Sequence, residues 1–188
     1  MTPFEFVTVA LSFVLGLGIT RLLSASVHIF HTRRNLKFHW VPIVWALSIF
    51  LVQIQYWWAI FELSDRIEIW TALHFGTLLL LALMLFVAGA VVLPTTTDVD
   101  SESLLDNFDR NGRWALLFLV GYSTMGLWAN WYLFGTSPIS YIGGLVVVLI
   151  LMPLTYLLVR NRRLQGAITV MYLIVSVWII VESSPLAY

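Results

Sequence analysis

Four stretches of this chain, residues 41–61, 69–97, 114–159 and 164–181, contain no Asp, Glu, Lys or Arg. A helix rises about 1.5 Å per residue, so about 20 consecutive apolar residues cross the roughly 30 Å of bilayer hydrocarbon. Runs of this length point to an all-α integral membrane protein. With 188 residues, 60% hydrophobic and 11% charged, no length remains for a separate soluble domain, and residues 1–188 read as one polytopic membrane domain. The chain has no Cys, which excludes disulfides, thiolate catalysis and Cys-ligated metals.

Extending the uncharged runs to the nearest turn or charge predicts six transmembrane helices near 4–31, 42–63, 69–93, 114–134, 140–159 and 165–182. Pro42 suits the first position of the second helix and Pro94 stops the third, while Pro153 removes one backbone hydrogen bond inside the fifth. Arg33, Arg34, Lys37, Arg110, Arg113, Arg160, Arg162 and Arg163 fall in odd-numbered loops and only Arg66 falls in an even one. The positive-inside rule then makes the odd loops cytoplasmic, 94–113 included, and places both termini outside. The N-terminal residues lack the basic segment and small-residue cleavage site of a signal peptide, so the first span is expected to be retained. The expected location is multi-pass in the plasma membrane, or the inner membrane if the source is bacterial.

Six of the nine Trp residues, Trp57, Trp58, Trp70, Trp128, Trp131 and Trp178, lie near the predicted outer helix ends, where an indole bridges lipid tails and headgroups. An opposed orientation of residues 1–93 and 114–188 is the arithmetic of an inverted repeat, supported by a short match between Ala10–Gly16 and Ala115–Gly121.

Thr8, Ser12, Gly16, Thr20, Ser24 and His28 recur at every fourth residue of the first span. Small residues at this spacing let helices approach closely, so the first helix is expected at the centre of the bundle with Ser12 and Gly16 as packing positions. Arg21 is the one charge well inside a span, costly unless it snorkels or finds partners. Thr20 and Ser24 beside it, with Tyr122, Ser123 and Thr124 at similar depth on the fourth helix, are its expected hydrogen-bond partners. Gln53 and Gln55 bring amides into the second helix and point to different sides, so at most one faces a cavity; the default role is interhelical bonding. Asn130, Gly126 and Tyr122 make a second polar stripe.

Glu5, Glu62, Asp65, Glu68, His74 and Glu182 form a predicted outer acidic rim. No two of these carboxylates stand at helical metal-motif spacing with His74, so a solvated rim and no metal are expected. His28 and His31 share a face but lack an opposing axial ligand for haem, and the single Lys37 lies in a loop, away from any buried Schiff base; no cofactor is expected. Asp98, Asp100, Glu102, Asp106 and Asp109 match part of a calcium-loop template, but Ser103 replaces its glycine. A short amphipathic helix capped by Asp100 and burying Leu104, Leu105 and Phe108 fits the segment better.

These features favour a channel or transporter for a small ion or polar solute, with Arg21, Thr20, Ser24, Gln53, Gln55, Tyr122 and Asn130 as pathway or ligand candidates. The alternative is a membrane scaffold or sensor that binds lipid or a partner protein without transport. No nucleophile and base pair can be assembled from spacing, so an enzyme ranks below both. Homo-oligomerisation is expected because 21.4 kDa leaves little interior for a complete pathway. The expected partners are the lipid bilayer and further copies of the chain, not nucleic acid.

Overall fold

The computed structural model describes residues 3–32, 37–63, 67, 70–94, 103–135, 137 and 139–183. The long helices are α1 (Pro3–Thr32), α2 (Trp40–Glu62), α3 (Ala72–Val91), α5 (Arg113–Phe134), α6 (Tyr141–Leu158) and α7 (Arg162–Ser183). Between α3 and α5 a single turn, α4 (Leu104–Asn107), continues into a π-helical turn at Phe108–Gly112. Local chemistry marks several helix ends. His39 Nδ1 accepts from the Val41 amide at the start of α2, and Ser140 caps α6 through the Gly143 amide. Thr71 and His74 form a reciprocal capping box on α3, which gives His74 a structural task in place of a metal-binding one. Gly135 ends α5 in the left-handed region, at φ 64°, where a side chain would be strained.

Five of these helices, α1, α2, α3, α6 and α7, are long and apolar enough to cross a membrane. Their outward faces carry Phe6, Phe13, Leu17, Val27, Leu151, Ile174 and Val181, all exposed. A water-soluble monomer does not expose so large an apolar surface; this exterior is that of a membrane-embedded protein. The sixth long helix, α5, falls short of the apolar window that the other five contain. Its Gly121-Tyr-Ser-Thr-Met-Gly126 run and Asn130 interrupt its hydrophobic sequence.

The helices run alternately up and down. One end carries Glu5, Glu62, His74 and Glu182 and is termed the acidic end; the other carries Lys37, Arg110, Arg113 and Arg160 to Arg163 and is termed the basic end. In the packing order α2, α3, α5, α6, α7 and back to α2, five helices close a ring. Helix α1 lies outside it, against α3 and α2.

The expectation of a central first helix is therefore corrected. The face that α1 buries is Val7, Leu11, Leu15, Gly18, Leu22, Ala25 and Ile29, a nearly heptad spacing of large apolar residues with one glycine. Gly16, Thr20 and Ser24 are exposed on the opposite side, Arg21 is exposed on one flank, and Ser12 is half-buried at the margin. The reason is geometric. Each four-residue step on a 3.6-residue helix rotates about 40°, so a strict ladder from Thr8 to His28 winds through more than half a turn and cannot occupy one contact face.

The close approach of α1, α2 and α3 is made by a different pair of glycines. Gln53, fully buried, donates from Nε2 to the Leu85 carbonyl at 3.1 Å. A Cβ on Gly18 would stand 3.0 Å from that nitrogen and one on Gly89 3.1 Å from it. Gln53 is thus an interhelical tie that needs both glycines.

At the basic end, Ser103 rather than Asp100 caps α4 by accepting from the Leu105 amide. Leu104 and Phe108 are buried, and the Leu104 amide donates to the Lys37 carbonyl. Asp109 pairs with Arg113 and Arg162, tying the α4 segment to the start of α7. Of the calcium-template residues, Asp98, Asp100 and Glu102 lie outside the described residues. The two halves do not pack alike: α1 packs closely on α3, whereas α5 and α7 face each other across the ring.

Candidate functional site: a cavity inside the helix ring

Within the ring a partly open cavity of about 410 Å³ lies towards the acidic end, at the lower end of the roughly 300–1,000 Å³ range of small-molecule pockets. Helix α5 supplies one wall through Tyr122, Ser123, Gly126, Ala129 and Asn130, a stripe at helical spacing. Helix α2 faces it with Gln55, Tyr56 and Ala59, while α6 and α7 contribute Val146, Leu149 and Tyr172. The rim is formed at the helix ends by Glu62 and Glu182.

Most hydroxyls within these helices are satisfied locally. Ser48, Thr124, Thr155, Thr169 and Ser176 each donate to the carbonyl four residues back, at 2.8–2.9 Å. The cavity residues behave differently. Ser123 is only 6% exposed, and neither its hydroxyl nor the amides of Gln55 and Asn130 has a hydrogen-bond partner among the described residues. None of the three is among the fully buried orphan groups, so these polar atoms stay open to hydrogen bonds from water or a solute that enters the cavity. Pro153, buried in α6, adds to this by denying the Leu149 carbonyl its helical donor.

Tyr56 is held in place by a 2.6 Å bond from its hydroxyl to the Leu78 carbonyl of α3, and its ring meets Tyr122 edge-on at 6.1 Å. Tyr56→Phe is expected to lower stability by about 1 kcal/mol, read as a depressed thermal midpoint of the detergent-solubilised protein.

Towards the basic end the cavity is closed by an aromatic layer. Trp45 packs on Tyr172 at 4.7 Å and on Tyr156 at 5.6 Å, and Phe108 from the π-helical turn covers Tyr156 at 6.0 Å. All four are fully buried. The indole N–H of Trp45 and the hydroxyl of Tyr156 lie buried in this layer without hydrogen-bond partners among the described residues.

The structure divides the residues singled out in the sequence. Gln55, Tyr122, Asn130, Glu62 and Glu182 come together at the cavity. Gln53 ties helices instead, and Arg21, Thr20 and Ser24 face outward on α1, separated from α5 by α3. Arg21 has no hydrogen-bond or ion-pair partner among the described residues; the expected bonds to Tyr122, Ser123 and Thr124 are not made. Glu5 is exposed at the acidic end, and Asp65 and Glu68 lie outside the described residues. Arg21→Gln is therefore expected to leave both the abundance of folded protein and any solute movement through the cavity unchanged, measured side by side in membranes and in reconstituted vesicles. Sequence reasoning missed Tyr56, Trp58 and Tyr172 as cavity residues. The polar ladder Thr169, Tyr172, Ser176 on α7 was the available signal for the last of these.

Among the described residues, no group of three or more His, Asp or Glu side chains converges as a metal site. The fold and site define an all-helical, membrane-embedded bundle with a largely apolar cavity that carries a few polar side chains. No family model, curated protein or solved structure matches this chain.

Proposed function

We propose that this protein binds a small polar solute in the cavity between α2, α3, α5, α6 and α7 and carries it across a membrane. The observation that carries the reading is the convergence of unpaired Ser123, Gln55 and Asn130 on one walled space. In this reading all six long helices span the bilayer, α5 included, because its lower hydropathy arises from the residues that line the cavity. The basic end faces the cytoplasm, following the excess of Arg and Lys there, and the acidic end with both termini faces outward. The plasma membrane, or its bacterial equivalent, is the corresponding location. The residues that line the cavity all come from one chain, and association with further copies belongs to the same proposal.

Solute enters at the Glu62 and Glu182 rim and meets the aromatic layer, which separates it from the cytoplasm. Movement onward requires Trp45, Tyr156 and Phe108 to part. The layer is suited to opening, because its two orphan polar groups gain hydrogen bonds when water or solute reaches them. Phe108 sits on the short segment latched by Asp109 to Arg162, which gives the layer one element able to shift without moving a whole helix.

The test is swelling of vesicles containing the purified protein, followed by light scattering in choline chloride, potassium gluconate and glycerol. Faster swelling than protein-free vesicles in at least one solute supports carriage; equal rates in all three overturn it. The closed aromatic layer favours one second reading, a receptor that binds solute without passing it, which calorimetric binding of a solute that causes no swelling would support.

A further inference from the structure

We infer that the occupant of the cavity is a small organic cation, an ammonium group carried on a short apolar body; this rests on the solute-binding reading of the same cavity. Its two rim carboxylates, Glu62 and Glu182, come from different helices. Among the described residues no Lys, Arg or His lines the wall to neutralise them. Glu62 is positioned by a 3.1 Å bond from the Trp58 indole N–H to one carboxylate oxygen, and among the described residues its second oxygen has no partner. A walled cleft lined by one sign of charge concentrates counter-ions of the other.

The interior then selects among cations. Tyr56, Tyr122 and Tyr172 present aromatic rings to the cavity, and the rest of the wall is mainly Leu, Ile, Val and Ala. Aromatic rings attract alkylammonium groups through their quadrupole and also pack against apolar bodies. A bare metal ion would find few oxygen ligands in a space of about 410 Å³. An anion would meet two carboxylates and no counter-charge. Ser123, Gln55 and Asn130 supply hydrogen bonds for a hydroxyl or amine on the ligand body.

The probes are choline and its uncharged isostere 3,3-dimethyl-1-butanol, titrated calorimetrically into the full-length purified protein. Choline is expected to bind at least tenfold more tightly than the alcohol. Glu62→Gln and Glu182→Gln are each expected to weaken choline about tenfold with little change for the alcohol. The Glu62→Gln amide oxygen can still accept from Trp58, and Glu182 is exposed, so both variants should fold. Equal binding of the two probes, unaffected by either glutamine, overturns the cation assignment and leaves the solute-binding reading standing. If neither probe binds, a cysteine placed at position 126 decides how far the failure reaches. Reaction with a water-soluble thiol reagent confines it to the ligand class, and no reaction overturns the solute-binding reading as well.

Discussion

Gly18→Leu is expected to abolish recovery of folded protein, whereas Gly16→Leu, two residues away on the same helix, is expected to be tolerated. A side chain at position 18 begins with a Cβ 3.0 Å from Gln53 Nε2 and 3.4 Å from the Phe86 Cα, and the second neighbour is backbone. Leucine there must push α1 off α3 and break the buried bond from Gln53 to the Leu85 carbonyl. Overpacking alone costs about 1–3 kcal/mol, and an orphaned buried amide adds on the order of 1–3 kcal/mol more. At position 16 a Cβ meets nothing within 4 Å, and leucine simply adds to an apolar exterior. The check is the fraction of monodisperse protein after detergent extraction, with thermal midpoints for whatever survives. Greater damage at position 16 than at 18 would return the small ridge to the contact face and contradict the placement of α1.

Gly126→Trp is the largest functional effect expected. Position 126 lies on the cavity wall of α5 with open space in front of its Cβ, so an indole can enter the cavity without displacing a helix. Binding and vesicle swelling should fall to the background of protein-free controls while the thermal midpoint holds. Gly144→Trp is the matched control, since that glycine is exposed on α6 with nothing within 4 Å of a Cβ. It should leave solute movement intact. Equal loss from both substitutions would place the damage in the fold rather than in the cavity.

The helical, membrane-embedded character of the chain was legible in the charge-free runs, because a span must satisfy its backbone internally and exclude charge. The different directions of Gln53 and Gln55 were also legible, since residues two apart on a helix diverge by about 200°. What could not be read was which of the two faces the interior of the ring. The face of α1 was misread because a ladder of small residues at constant four-residue spacing looks continuous in sequence and winds in space. The large apolar heptad beside it carried the true contact. Arg21 drew attention for its energetic cost, yet cost alone does not locate a side chain: it lies about 16 Å from the basic end of α1 on the exterior. The cavity depends on α2, α5, α6 and α7 meeting around one space. No local pattern announces that Glu62 and Glu182, 120 positions apart in the chain, share a rim. The hint that was available lay in α5, whose polar residues lower its hydropathy and turn out to form a cavity wall.

One face of the membrane is expected to communicate with the cavity, which the aromatic layer seals from the other face. Because the chain has no native Cys, single cysteines at positions 126, 130 and 156 can be treated with a membrane-impermeant thiol reagent added to either face of sealed vesicles. Reaction is expected at 126 and 130 from the acidic face alone, with 156 protected beneath Trp45 and Phe108. Protection of 126 and 130 from both faces, or reaction at 156 as fast as at 126 from the acidic face, would contradict it.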